Sequence, residues 1–343
     1  MKKIVFAIIF LIISSCALTQ ESKRKNKDIA LKYAETITYK ELNVLLTSFA
    51  SDEFEGRKTG EAGQKKAANF LRDFYSKEGI KSPQENNNYF QIVPASFMNP
   101  LSRQGGLNDS ENVVAFIKGS EKPDEIIVIS AHLDHLGRAY TRAINYGADD
   151  NGSGTVAILE IAQAFKKAVE DGKGPKRSIL FLHVTGEEQG LLGSKYYTEN
   201  PIFPIKNTVA NLNTDMIGRV DVKHQKNPNY IYLIGSDKLS TELHDISETV
   251  NKKYLNLSLD YSYNDDDDPN RYYYRSDHYN FAEFNVPVIF YFSGTHIDYH
   301  EPSDTSDKIN YEQLENRARL IFYTAWEIAN RKDRIVADKA IKE

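Results

Sequence analysis

Five short segments carry side chains that could hold cations or move protons. They are His132 with Asp134, Asp149 with Asp150, Glu187 with Glu188, Asp215, and His300. Taken singly, each is weak: a His-x-Asp pair is common, an adjacent Glu-Glu pair is usually solvated surface, and a lone histidine is usually structural. Taken together, two imidazoles and several carboxylates would meet. Carboxylates gathered that closely repel one another unless a cation neutralises them. A mixed set of nitrogen and oxygen donors suits zinc, and the number of donors points to two ions rather than one.

The surrounding elements bring these segments together. Residues 125–130 (EIIVIS) form a nearly continuous apolar run, the pattern of a strand buried on both faces. Further strands are expected at 113–117, 178–184, 209–214, 230–234 and 288–292. Helical spacing of Val156, Leu159, Ala162 and Phe165 predicts a helix over 155–169, and others are expected at 191–197, 239–255 and 311–329. Upstream, helical periodicity runs from Ile29 through Leu46, and Ala67, Phe70, Leu71 and Phe74 share a face of a helix over 62–75. Segment 80–112 reads as irregular. This alternation predicts an α/β fold with a mostly parallel central sheet and helices on both faces. His132, Glu187, Glu188, Asp215 and His300 then all lie just past the carboxyl ends of strands, the edge where open α/β sheets bind ligands. Asp149 and Asp150 sit in the loop before the 155–169 helix.

With 343 residues, 41% hydrophobic and 27% charged, the chain reads as one large globular domain. A net charge of −5 gives no sign of the basic face that a nucleic-acid partner would require. The N-terminus has a different character. Lys2 and Lys3 precede an apolar run from Ile4 to Ile13, too short to span a bilayer but suited to a signal peptide. Ile13-Ser14-Ser15-Cys16 follows and resembles a bacterial lipobox; Cys16 is the single cysteine of the chain, so it has no internal disulfide partner. The expected organisation is a lipoprotein signal peptide at 1–15, a polar tether at 16–28 and one domain at 29–338. The protein would be exported to the cell envelope and touch the membrane only through a lipid on Cys16. An ordinary cleaved signal with an incidental cysteine is the alternative.

The segments SAHLDHLG, GADDNGSG, VTGEEQGLLGS, NLNTDMIG and DYHEPSDT occur in this order, and SDEFEGRKTGEAGQKKAANFL lies upstream of them. Together they resemble the M28 family of dinuclear zinc aminopeptidases over roughly residues 45–330. The resemblance implies a zinc exopeptidase fold of the phosphorylase/hydrolase-like type and two zinc ions per chain. It places His132 and Asp215 on one metal, Glu188 and His300 on the other, and Asp150 between them. Asp149 is the neighbour that could be mistaken for Asp150, and the spacing to Ser153-Gly154 favours Asp150. Glu187 would be the general base, and Asp134 would lie behind His132 as acceptor for its second ring nitrogen. Tyr299 has two open readings, a donor to the tetrahedral oxyanion or a packing residue.

The implied activity is removal of N-terminal residues from peptides with a free amino group. A glutaminyl cyclase on the same fold is a second reading, and a non-catalytic cell-surface binding lipoprotein a third. Tyr272, Tyr273 and Tyr274 fall where the family's substrate pocket lies. His135, His183, His224, His244, His278 and His296 read as structural. Ser153, between two glycines, reads as a loop or helix-cap residue, and Asp265 to Asp268 as a solvated loop.

Overall fold

The computed structural model describes residues 29–340. The expected leader, Cys16 and the tether lie outside them. Eight strands form one sheet: β1 (Phe90–Val93), β2 (Ser110–Ile117), β3 (Lys122–His132), β4 (Arg177–Val184), β5 (Thr208–Thr214), β6 (Tyr230–Ile234), β7 (Ser258–Asp260) and β8 (Val288–Phe292). Their order across the sheet is β1-β2-β4-β3-β5-β8-β6-β7. The four central strands β4, β3, β5 and β8 are parallel, while β2 and β6 join them antiparallel on either side. The sheet is therefore mixed, with a four-stranded parallel part at the centre and a parallel pair, β6 and β7, at one edge.

The parallel strands are buried on both faces, which explains the unbroken apolar runs at the centres of β3, β4 and β8. Ile127 and Ile129 of β3 and Ile179 and Phe181 of β4 face one core, and Ile126, Val128, Leu180 and Leu182 face the other. The larger core lies under helices α1 (Tyr39–Phe49), α2 (Ala62–Lys77), α3 (Gly154–Glu170), α5 (Thr241–Tyr254) and α7 (Tyr311–Asn330). In α7, Leu314, Ala318, Ile321, Ala325 and Ile328 form the buried stripe expected of a helix on a sheet. The opposite face is covered by the shorter α4 (Leu192–Glu199) and α6 (His278–Ala282), joined through Tyr197 against Phe281.

Two expectations need correction. The periodicity from Ile29 through Leu46 is not one helix. Residues 29–34 are helical, the chain then turns, and α1 starts afresh behind Thr38, whose hydroxyl accepts from the Glu41 amide. A side-chain cap competes with continued helix at such a residue, so apolar spacing alone overran the boundary. Segment 80–112 is not irregular throughout: it supplies β1 and the start of β2. Edge strand β1 buries one face only and is four residues long, so it leaves little signature. Among the described residues, no helix is long and apolar enough to cross a membrane.

One buried cation ties the loops beneath the carboxyl edge of the sheet. The Arg57 guanidinium donates to the carbonyls of Leu133 (3.0 Å), Phe49 (3.2 Å), Tyr146 (2.8 Å) and Gly147 (2.8 Å). Burial lowers its pKa to about 10, opposed by the nearby carboxylates of Asp150, Asp304, Asp134 and Glu188. It therefore stays charged at neutral pH. A lysine would keep the charge but could not reach all four carbonyls. Arg57→Lys is expected to cost about 2–4 kcal/mol, since each buried acceptor left unmatched costs roughly 1–3 kcal/mol. Urea denaturation checks this, and an unchanged midpoint would contradict it.

Candidate active site

Each candidate side chain is delivered by a backbone feature at the carboxyl edge of the parallel strands. His132 is the last residue of β3, and its carbonyl accepts from the Thr155 hydroxyl (2.8 Å) at the start of α3. Asp150 lies in the loop that leads into α3. That loop begins at Gly147, with φ of +55°, where a Cβ would sit 2.2 Å from the Asp150 carbonyl oxygen and 2.5 Å from the His135 ring, so only glycine fits. The Asp304 carboxylate then accepts from the backbone amides of both Asp149 (2.9 Å) and Asp150 (3.1 Å). Asp215 follows β5, and the Ser276 hydroxyl donates to its Oδ2 (2.7 Å). Glu187 and Glu188 follow β4 in a tight turn closed by Leu192 and Gly193 amides to the carbonyls of Gly186 and Thr185. His300 lies in the loop beyond β8.

The side chains of these distant segments meet. His132 Nε2 lies 3.3 Å from Asp150 Oδ1 and 3.3 Å from Asp215 Oδ1. His300 Nε2 lies 3.1 Å from Asp150 Oδ2 and 3.4 Å from Glu188 Oε2. Asp150 thus turns one oxygen to each of two imidazole–carboxylate pairs. Ligands held about 2.0–2.1 Å from a tetrahedral zinc stand roughly 3.3 Å from one another. All four separations match that edge, so the residues fit two ions sharing Asp150.

Some neighbours take roles that the sequence did not show. His135, read as structural, is buried with Nδ1 2.7 Å from Glu188 Oε1 and 3.8 Å from Asp150 Oδ2. The shorter distance is that of a hydrogen bond, and burial lowers its pKa to about 4, so the ring is neutral and Nδ1–H can donate to the Glu188 oxygen turned away from His300. Asp134 differs from expectation. His132 Nδ1 lies 3.1 Å from the Asp134 carbonyl oxygen but 3.9 Å from its carboxylate. The carboxylate is already engaged by the Thr59 hydroxyl (2.6 Å) and the Glu187 amide (3.2 Å), which pull it out of reach. Asp149 points away from the centre, accepting from the Gly218 amide (2.6 Å) and lying 3.2 Å from His296 Nε2. Ser153 does not cap α3. Its hydroxyl donates to the Asp149 carbonyl and accepts from the Ile217 amide, and the Asn151 side chain receives the Gly154 amide instead.

Asp150, Glu187 and Asp215 open onto a cleft with Met216, Tyr272, Phe290, Phe292 and Tyr299. Of the three expected tyrosines, Tyr272 lines it. The Glu187 carboxylate takes no hydrogen bond among the described residues, which leaves it free toward the cleft. Tyr299 stacks on His300 with ring centroids 3.8 Å apart. Burial and the carboxylates of Asp150 and Glu188 raise its pKa, so its hydroxyl keeps its proton.

The electrostatics of the metal-free residues explain what a cation would do here. Burial, reinforced by neighbouring carboxylates, holds Glu187 and Glu188 well above the usual carboxylate range. Burial opposes a charge on His132, but Asp215 and Glu187 and its contacts with Asp150 and Asp215 raise its pKa well above the usual value. Asp150 is held low despite burial by His132 and His300. The metal-free cluster thus balances itself with protons, and divalent ions would displace them.

Zinc uptake should therefore release protons. Raised ligand pKa values mean that protons compete better at low pH, so affinity is expected to rise as pH goes from about 6 to about 8. Calorimetry in buffers of different ionisation enthalpy measures the release; uptake with no proton release and no pH dependence would contradict the donor assignment.

The sequence profile of Peptidase family M28 matches residues 112–325. A probable leucine aminopeptidase of Arthroderma otae is 30% identical over 224 residues, covering 64% of this chain and 57% of that protein. Leupeptin-inactivating enzyme 1 of Streptomyces exfoliatus is 28% identical over 236 residues, covering 63% of this chain and 48% of that protein. The chain thus spans about half the length of these curated relatives. Among solved structures, the LapA aminopeptidase of Legionella pneumophila superposes with a TM-score of 0.68 at 22% identity, covering 90% of this chain and 76% of that one, a likeness of fold. The family profile spans most of the sheet and contains all five metal-donor segments, from His132 through to His300, and on that match the chain belongs to peptidase family M28.

Proposed function

We propose that this protein is a metallo-aminopeptidase that hydrolyses the N-terminal peptide bond of peptides with a free amino group. The observation that carries this reading is the division of Asp150 between two imidazole–carboxylate pairs at zinc-like spacing. His132 and Asp215 would hold one zinc, Glu188 and His300 the second, and Asp150 both. The ions, when bound, supply Lewis-acid polarisation of the scissile carbonyl and a lowered pKa for the attacking water.

The remaining steps belong to side chains of the chain. Glu187 faces the cleft without a hydrogen-bond partner among the described residues, so it takes the proton of the attacking water and returns it to the departing amine. Burial holds the Glu187 pKa up and neighbouring carboxylates add to it; committing Glu188 and Asp215 to dications would relieve that added repulsion. Tyr299, protonated and on the cleft wall, donates to the oxygen that gains charge as the carbonyl becomes tetrahedral. His135 holds Glu188 in place, and Asp304 and Ser276 hold Asp150 and Asp215. Cleavage at the N-terminus rather than at an internal bond follows the aminopeptidases to which the chain is similar.

The envelope reading belongs here as well. A signal peptide at 1–15, a lipid on Cys16 and a tether to residue 28 would keep the domain on the outer side of the cytoplasmic membrane, acting on extracytoplasmic peptides.

Two experiments test this. Glu187→Gln is expected to keep both metals and lose about 10²–10⁴-fold in kcat on an amino-acid amide, the usual loss for a general base. Metal analysis and a fluorogenic amide assay check it together; full turnover in the variant would reject Glu187 as base. Cyclisation of an N-terminal glutamine peptide without amide hydrolysis would move the protein to the cyclase class. Cys16→Ser is expected to shift the protein from the membrane fraction to the soluble fraction and abolish fatty-acid labelling. Undiminished labelling would reject that anchor.

A further inference from the structure

The cleft wall carries one basic side chain among the described residues, Arg275. It is exposed, and no carboxylate stands within ion-pair distance of it among the described residues. The guanidinium lies over the Tyr272 ring, 4.9 Å from its centroid. Tyr272 is itself wedged against Phe292 and Tyr263, so the platform is rigid. The backbone on which Arg275 sits is pinned at both sides. Its amide donates to the Tyr272 carbonyl (3.0 Å), and the next residue, Ser276, donates its hydroxyl to Asp215 (2.7 Å). Asp277 beyond it accepts from the Ser194 hydroxyl. The position of Arg275 is therefore fixed relative to the reacting centre.

The chemistry of the surroundings narrows what Arg275 can bind. The apolar part of the cleft, Met216, Phe290 and Phe292, offers it no acceptor. On the metallo-aminopeptidase reading, on which this inference rests, the acids of the cleft are committed to metal ions or, in Glu187, to proton transfer. That leaves a planar cation with its donors unspent beside the place where substrate lies. A guanidinium held over an aromatic ring presents a planar fork that matches a carboxylate in two parallel hydrogen bonds. We propose that Arg275 forms a subsite for a substrate carboxylate, supplied by the free C-terminus of a short peptide or by an acidic side chain.

The test compares four peptides: leucyl-alanine with its C-terminal amide, and glutamyl-alanine amide with glutaminyl-alanine amide. Each pair differs in one carboxylate. In the zinc-loaded protein one pair is expected to show a preference of about tenfold or more in kcat/KM for the acid, the size of a charge-assisted hydrogen-bonded contact. Preference in the first pair assigns the carboxylate to the C-terminus, and in the second to the side chain. Arg275→Met is expected to reduce that ratio to near unity through KM, whatever its absolute rates. Parity in both wild-type pairs, or a ratio that survives the substitution, overturns the proposal. Should the wild-type protein cleave none of the four, the aminopeptidase reading falls separately. Calorimetric binding of the same peptides to zinc-loaded protein then decides the subsite: an acid preference lost in Arg275→Met supports it, and equal binding overturns it.

Discussion

Crowding of buried carboxylates is the constraint around which this molecule is organised. Asp150, Glu187, Glu188 and Asp215 meet at one end of the sheet, with Asp134 and Asp277 close behind. Burial alone pushes such groups toward the neutral acid, and mutual repulsion pushes further, as the raised pKa of Asp277, to about 7, illustrates. Two imidazoles do not balance that charge. The cluster is stable as a protonated network or as a cation site, and the 3.1–3.4 Å spacing between nitrogen and oxygen donors suits both.

Holding like charges together demands rigid supports, some to backbone and some between side chains. Asp150 is fixed through its amide by Asp304, and the loop in front of it through carbonyls gripped by Arg57. Asp304 is anchored in turn near Arg219, which pairs with Asp298 at 2.9 Å. Glu188 is oriented by His135 and Asp215 by Ser276. None of these supports needs to touch substrate. Their shared task is to keep the acids from swinging apart, which side-chain entropy and repulsion both favour. The parallel centre of the sheet makes this possible, because four neighbouring strands end on the same edge and their loops are adjacent by construction.

The same geometry divides labour between adjacent residues. Glu187 and Glu188 are chemically identical and consecutive, yet one faces the cleft and the other lies between His300 and His135. Asp149 and Asp150 divide likewise, one turned to Gly218 and His296 and the other to the centre. In each pair the turn of the backbone assigns the environment, and the environment assigns the chemistry.

The sequence by itself determined the central strands, the α/β class and the set of residues that meet. The centres of β3, β4 and β8 are unbroken apolar runs because both faces are buried, while buried Asn211 and Asn213 interrupt β5, and each polar residue that ends a strand is marked by its type and position. Such periodicity is a local property, so it survives reading one residue after another. The edge strand β1 and the break before α1 lacked it, the first because only half its residues are buried, the second because one threonine cap outweighs the apolar spacing. What tertiary structure alone decided were contacts made across long stretches of chain. Thr59 takes the Asp134 carboxylate from 75 residues away, and Asp304 grips the amide of Asp149 from 155. With the Asp134 carboxylate so engaged, His132 faces the Asp134 carbonyl instead. Packing sets such distances, and no spacing along the chain encodes them, because many separations in sequence fold to the same few ångströms in space.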